Sequence, residues 1–112
     1  MGKNISDEVV FNLIAEDKID PIDVGFHWRS HGRGAIIYYI ENLGIIPIYC
    51  EMPAVDYLDV LVFGETKHIE NRYYLHKKTV EHLPFEERLR IQKLLVDWLS
   101  ERGCRHDINV GQ

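Results

Sequence analysis

The chain contains no apolar run long enough to cross a bilayer, and it opens Met1-Gly2-Lys3-Asn4 without the hydrophobic stretch of a secretion signal. These absences predict a cytoplasmic protein with no membrane contact. Cysteine is scarce. Cys50 and Cys104 stand far apart with no Cys-x-x-Cys grouping, which argues against a thiol metal knuckle and predicts two buried, reduced thiols. Proline is limited to four residues and no segment is of low complexity, so the chain reads as neither linker nor disordered tract. No cluster of side chains has the type and spacing of a known catalytic or cofactor motif, and neither cofactor nor metal is expected.

What is present suits one core. The 112 residues have the size of a single domain, 1–112, that buries roughly 65% of its unfolded surface. The net charge of −5 is unevenly spread. Met1 to Val24 carries two lysines against six acids, Glu41 to Glu70 one lysine against six acids, and Asn71 to Lys93 six basic residues against three acids. A nucleic-acid binder is normally net basic. This balance points to a basic protein partner instead, with no nucleic acid expected.

Ser6 followed by Asp7 and Glu8 predicts a helix start, with the serine capping a free N–H and the acids facing the positive end of the dipole. Asp20-Pro21 stops that helix, because the residue before proline avoids the helical region. A loop containing Gly32 and Gly34 then leads into strands. From Ala35 the apolar residues alternate with period two. Ile36, Tyr38 and Ile40 share one face, and Asn42-Leu43-Gly44 predicts a three-residue hairpin loop that sets Glu41 opposite Ile45. On that register Ile46, Ile48, Cys50 and Met52 continue the same face. Pro47 lacks a ladder donor and suggests a strand unpaired or bulged on one side. Tyr57 to Phe63 reads as a third strand and Lys67 to Tyr74 as a fourth. Pro84, Glu86 and Glu87 open a long helix that runs to Arg102 and stops at Gly103, and Arg105 to Val110 offers a short last strand. The expectation is an α+β domain: an N-terminal helix, an antiparallel meander of three to four strands and a long C-terminal helix, with both helices on one face of the sheet.

Three successive strands carry Tyr-x-acid: Tyr39 with Glu41, Tyr49 with Glu51, and Tyr57 with Asp59. Side chains two apart on a strand point the same way, so the predicted register puts all three pairs on the outer face. Aromatics interleaved with acids suit a basic protein surface, the tyrosines supplying rigid area and the acids steering the encounter. The alternative is ordinary solvated strand surface, where tyrosine and acids are both common. Glu51 and Asp59 could also serve as an acid and base pair on a sugar, but so small a domain offers little cleft, and no enzyme is expected.

His27, Arg29, His31 and Arg33 form a basic stretch without a carboxylate that could cradle a phosphate or act on RNA. A glycine-containing surface loop with solvated basic residues is the first reading of it, with anion binding or catalysis as the alternative. Trp28 and Trp98 read as packing residues. Met1-Gly2-Lys3-Asn4-Ile5-Ser6 fits the permissive myristoylation pattern, although its serine already serves as a helix cap.

A capped first helix, a meander with an acidic outer face and a long final helix together resemble the small immunity proteins of bacterial polymorphic or contact-dependent toxin systems. The likeness runs from Ile36 through Glu51 and Asp59 to Leu83-Pro84-Phe85-Glu86-Glu87-Arg88 and covers most of the chain. It implies an acidic inhibitor that binds a basic, often nuclease, toxin domain and blocks its active site. The expected function is therefore non-enzymatic protein binding, as an inhibitor or immunity protein, through Tyr39, Glu41, Tyr49, Glu51, Tyr57 and Asp59. The alternatives are a small enzyme or RNA- or phosphate-binding protein using His27 to Arg33, and a homo-oligomerisation module whose tyrosine face meets its own copy.

Overall fold

A computed structural model describes residues 5–112; Gly2, the acceptor of the lipidation pattern, lies outside them. Helix α1 spans Asp7–Glu16, and its first turn is capped as predicted, with the Val9 N–H donating to Ser6 Oγ at 3.3 Å. It ends ahead of the Asp20-Pro21 stop, because Lys18 turns left-handed at φ 55° and the Ile19 N–H bonds back to the Ile14 carbonyl. The strands are β1 (Gly25–His31), β2 (Gly34–Glu41), β3 (Gly44–Glu51), β4 (Leu61–Val62), β5 (Asn71–Tyr74) and β6 (Thr79–His82), and helix α2 spans Phe85–Glu101. All strand pairs are antiparallel, in the order β1-β2-β3-β5-β6, with β4 beside β3 on the same side as β5. The α+β meander between an N-terminal and a long C-terminal helix is thus present.

Several details differ from the sequence reading. The stretch read as a loop before Ala35 is mostly strand β1, which closes onto β2 through a two-residue turn at Gly32-Arg33. Of the third strand only Leu61–Val62 forms, because the Asp59 and Val60 N–H groups donate to the Arg105 carbonyl instead. The fourth strand begins only at Asn71, after a 3₁₀ turn at Thr66–His68, and the basic segment beyond it supplies β6. Arg105 to Val110 is not a strand. It is an ordered tail, held where Asp107 Oδ1 accepts from the Val62 N–H at 3.0 Å and Arg105 grips Asp59. Pro47 falls in the gap on β3 between the β5 contact at Ile45 and the β4 contact at Cys50, where no ladder donor is needed.

The largest correction is a register shift of one residue. The β2–β3 turn uses only Asn42 and Leu43, both left-handed at φ 52° and 68°, so Glu41 pairs with Gly44 and not with Ile45. A shift of one moves every side chain to the other face. Ile36, Tyr38 and Ile40 therefore join Ile45 and Tyr73 under Val10, Phe11 and Ile14 of α1. Ala35, Ile37 and Tyr39 join Ile46, Ile48 and Cys50 under Ile91, Leu95 and Leu99 of α2. The two helices cover opposite faces of the sheet, not one, and β2 is buried on both sides.

Candidate functional site

The six tyrosine and acid residues do not share a face. Tyr39 is only 8% exposed and lies against Phe26 at 4.4 Å between ring centroids, on the α2 side. Burial raises its hydroxyl above the usual range. Glu41 lies on the same side but is engaged by Arg90, whose Nη2 also donates to Glu87 at 2.7 Å. Hydrogen bonds from Arg90 hold the Glu41 carboxyl below its ordinary range. Asp59 accepts from the Arg105 backbone N–H at 2.8 Å and from Nη2 at 2.9 Å, and these bonds hold its carboxyl at about 2. Tyr49 and Glu51 face the α1 side, and Tyr57 stands 70% exposed in the β3–β4 loop. The checkerboard expected from the sequence is not formed.

Two of the six nevertheless stay together. Tyr49 and Glu51 line a groove of about 840 Å³ at the end of the sheet that α1 leaves open, and Tyr57 belongs to the loop on its rim. Its floor is Ile36 and Tyr49, with Leu13 and Phe63 also lining it. Glycine at position 34 leaves the row between His31 and Glu51 without a side chain, which deepens the concavity. Burial pushes the Tyr49 hydroxyl up to about 12, so it enters any contact as a neutral donor. Met52 and Val55 stand exposed beside it. The sequence reading assigned Met52 to the inner face, whereas it lines the groove and is exposed; an apolar side chain just ahead of Pro53 in a loop was the available signal.

The basic stretch is only partly a site. His27, Arg29 and His31 alternate on the α1 side of β1; Arg29 and His31 fasten the end of α1, and His27 the loop that follows it. His27 Nε2 contacts the Asp23 carbonyl at 2.7 Å, and Arg29 Nε donates to the Asp17 carbonyl at 3.0 Å. A cation at a helix C-terminus suits the negative end of its dipole. Asp17, with its side chain 11% exposed, also meets His31 Nε2 at 2.8 Å and accepts from the Tyr38 hydroxyl at 2.6 Å. Burial, followed by the hydrogen bond to Asp17, raises the Tyr38 hydroxyl far above its usual range. With His27 and Arg29 spent on carbonyls, no phosphate cradle is assembled from the four residues. Only His31 and Arg33 reach the groove, and Arg33 has no ion-pair partner among the described residues.

Both cysteines are free thiols, and burial pushes Cys50 up to about 12, which keeps it protonated and unreactive. Among the described residues no three His, Cys, Asp or Glu side chains gather as metal ligands, and no helix is long and apolar enough to cross a membrane. Trp98 packs against Phe26 at 5.3 Å, whereas Trp28 remains 37% exposed on β1 and is not a core residue. Comparison of the chain with protein-family models, curated proteins and solved structures finds no match.

Proposed function

We propose that this chain is a non-enzymatic protein-binding domain, of the inhibitor or immunity kind, that engages a basic toxin or nuclease domain through the groove and its β3–β4 rim. The observation that carries this reading is the apolar groove bordered by Tyr49 and Glu51, with Met52, Val55 and Tyr57 exposed on the adjoining loop. Exposed aromatic and aliphatic anchors around a concavity are the usual makings of an interface hot spot. Glu51 and Asp56, both solvent-exposed, supply the charge that steers a basic partner. The contact set thus shifts from the six residues expected from sequence to Tyr49, Glu51, Met52, Val55, Asp56 and Tyr57. Tyr39, Glu41 and Asp59 are occupied by internal contacts and drop out.

The test is a calorimetric titration with the product of the adjoining open reading frame, which the reading requires to carry a basic toxin-type domain. A stoichiometric complex is expected, and Met52→Asp and Tyr57→Ala should each weaken it at least tenfold, about 1.4 kcal/mol, without changing the circular dichroism melt. Glu51→Lys should slow association and flatten its salt dependence. The reading fails if no basic domain is encoded there, if none binds, or if both groove variants bind as tightly as the wild type.

A further inference from the structure

Strand β1 forms a border of the sheet, pairing among the described residues with β2 alone. His31 and Gly34 flank the two-residue turn and so form a hydrogen-bonded pair. Arg29 with Ile36 and His27 with Tyr38 follow at every second position. The intervening residues, Phe26, Trp28 and Ser30, therefore direct their backbone N–H and C=O groups away from β2. The side-chain bond from Arg29 Nη1 to the Trp28 carbonyl at 3.1 Å accords with that direction. Among the described residues no backbone acceptor meets the N–H of Phe26, Trp28 or Ser30.

Exposed strand edges are usually blunted by proline, lysine, an inward charge or a bulge. β1 has no proline, lysine or carboxylate, and its register with β2 runs unbroken over seven residues. Among the described residues its one protective device is the Arg29 guanidinium folded over a single carbonyl. The opposite border strand, β6, is only four residues long.

We infer that β1 pairs antiparallel with β1 of a second copy of this chain, about a two-fold axis at Trp28, to make one continuous sheet. The outward groups are self-complementary because they are spaced by two and centred on Trp28. Rotation about that residue sets Phe26 of each copy opposite Ser30 of the other and Trp28 opposite Trp28, with each pair exchanging both of its bonds. The half-exposed Trp28 rings then meet across the axis and shield each other. Although the chain is acidic overall, this strand holds no acid, so no carboxylate of β1 faces its own copy across the axis. Arg29 must swing off the Trp28 carbonyl to allow pairing. The surface differs from the groove, so each proposal stands or falls by its own test.

The experiment is sedimentation of the full chain from about 1 to about 500 µM, a range suited to a small interface. The weight-average mass should rise reversibly from 13.2 kDa toward twice that value. Amide exchange at Phe26, Trp28 and Ser30 should slow with concentration, while His27 and Arg29 stay protected throughout. Ser30→Pro removes an outward donor without touching the β1–β2 ladder, and Trp28→Lys places charges at the axis. Each should weaken the dimer at least tenfold with an unchanged circular dichroism spectrum, and Trp28→Lys decides the matter if the proline variant does not fold. A wild-type chain that stays monomeric throughout, or a folded variant that dimerises equally well, overturns the inference.

Discussion

Two neighbouring residues, Leu43 and Gly44, each stand where the other's type would be expected. Glycine 44 looks like the turn residue of the β2–β3 hairpin, yet the left-handed positions belong to Asn42 and Leu43. Gly44 is instead buried against Arg72, and a Cβ there would run into the aliphatic stem of that arginine. Arg72 cannot easily yield. It is 9% exposed and bonded to Glu81 at 3.1 Å and to Glu87 at 2.7 Å. Gly44→Ala should therefore cost about 2 kcal/mol through overpacking, measured by urea unfolding. Leu43→Gly should act in the opposite sense. It relieves a left-handed leucine at φ 68° and completes an Asn-Gly turn, stabilising by about 1 kcal/mol in the same assay.

Among elements, the join between hairpin, sheet and α2 depends on charge. Arg90 spans Glu41 of β2 and Glu87 of α2, while Arg72 of β5 spans Glu87 and Glu81 of β6. Hydrogen bonds from Arg90 and then Arg72 hold the Glu87 carboxyl at about 2, against an ordinary 4.5. Between those values the unfolded chain binds more protons than the folded one, so stability rises with pH across the window and is lost as pH falls through it. Glu87→Gln should be less stable than the wild type at pH 7, because it leaves Arg72 short of a partner. The difference should shrink as pH falls from about 4.5 toward about 2, where Glu87 itself becomes neutral. Urea unfolding at a series of pH values checks this; a constant difference would contradict it.

At the scale of the whole molecule, the two clusters lie on opposite sides of one sheet and share β2 and β3, so neither is independent of the other. Ile14→Ala in the α1 cluster and Leu95→Ala in the α2 cluster should each cost about 2–5 kcal/mol. Each should also move a single transition seen alike by tryptophan fluorescence and by circular dichroism. Two separate transitions would show that the layers melt apart. Much of this architecture was legible in the chain itself. Ser6 marks the cap, the run of β-branched and aromatic residues from Ile36 marks β2, and the Ile91-Leu95-Leu99 stripe marks α2, because each depends on local chemistry or on a pattern carried by consecutive residues. The face on which each strand residue lies was not legible, since it hung on whether a turn used two residues or three. Packing of Gly44 on Arg72 accompanies the choice of two. The site followed the same division. Tyr49 and Glu51, singled out by their types, do line the groove. That Tyr39, Glu41 and Asp59 are taken up by Phe26, Arg90 and Arg105 was decided only by tertiary structure, because those partners come from distant parts of the chain.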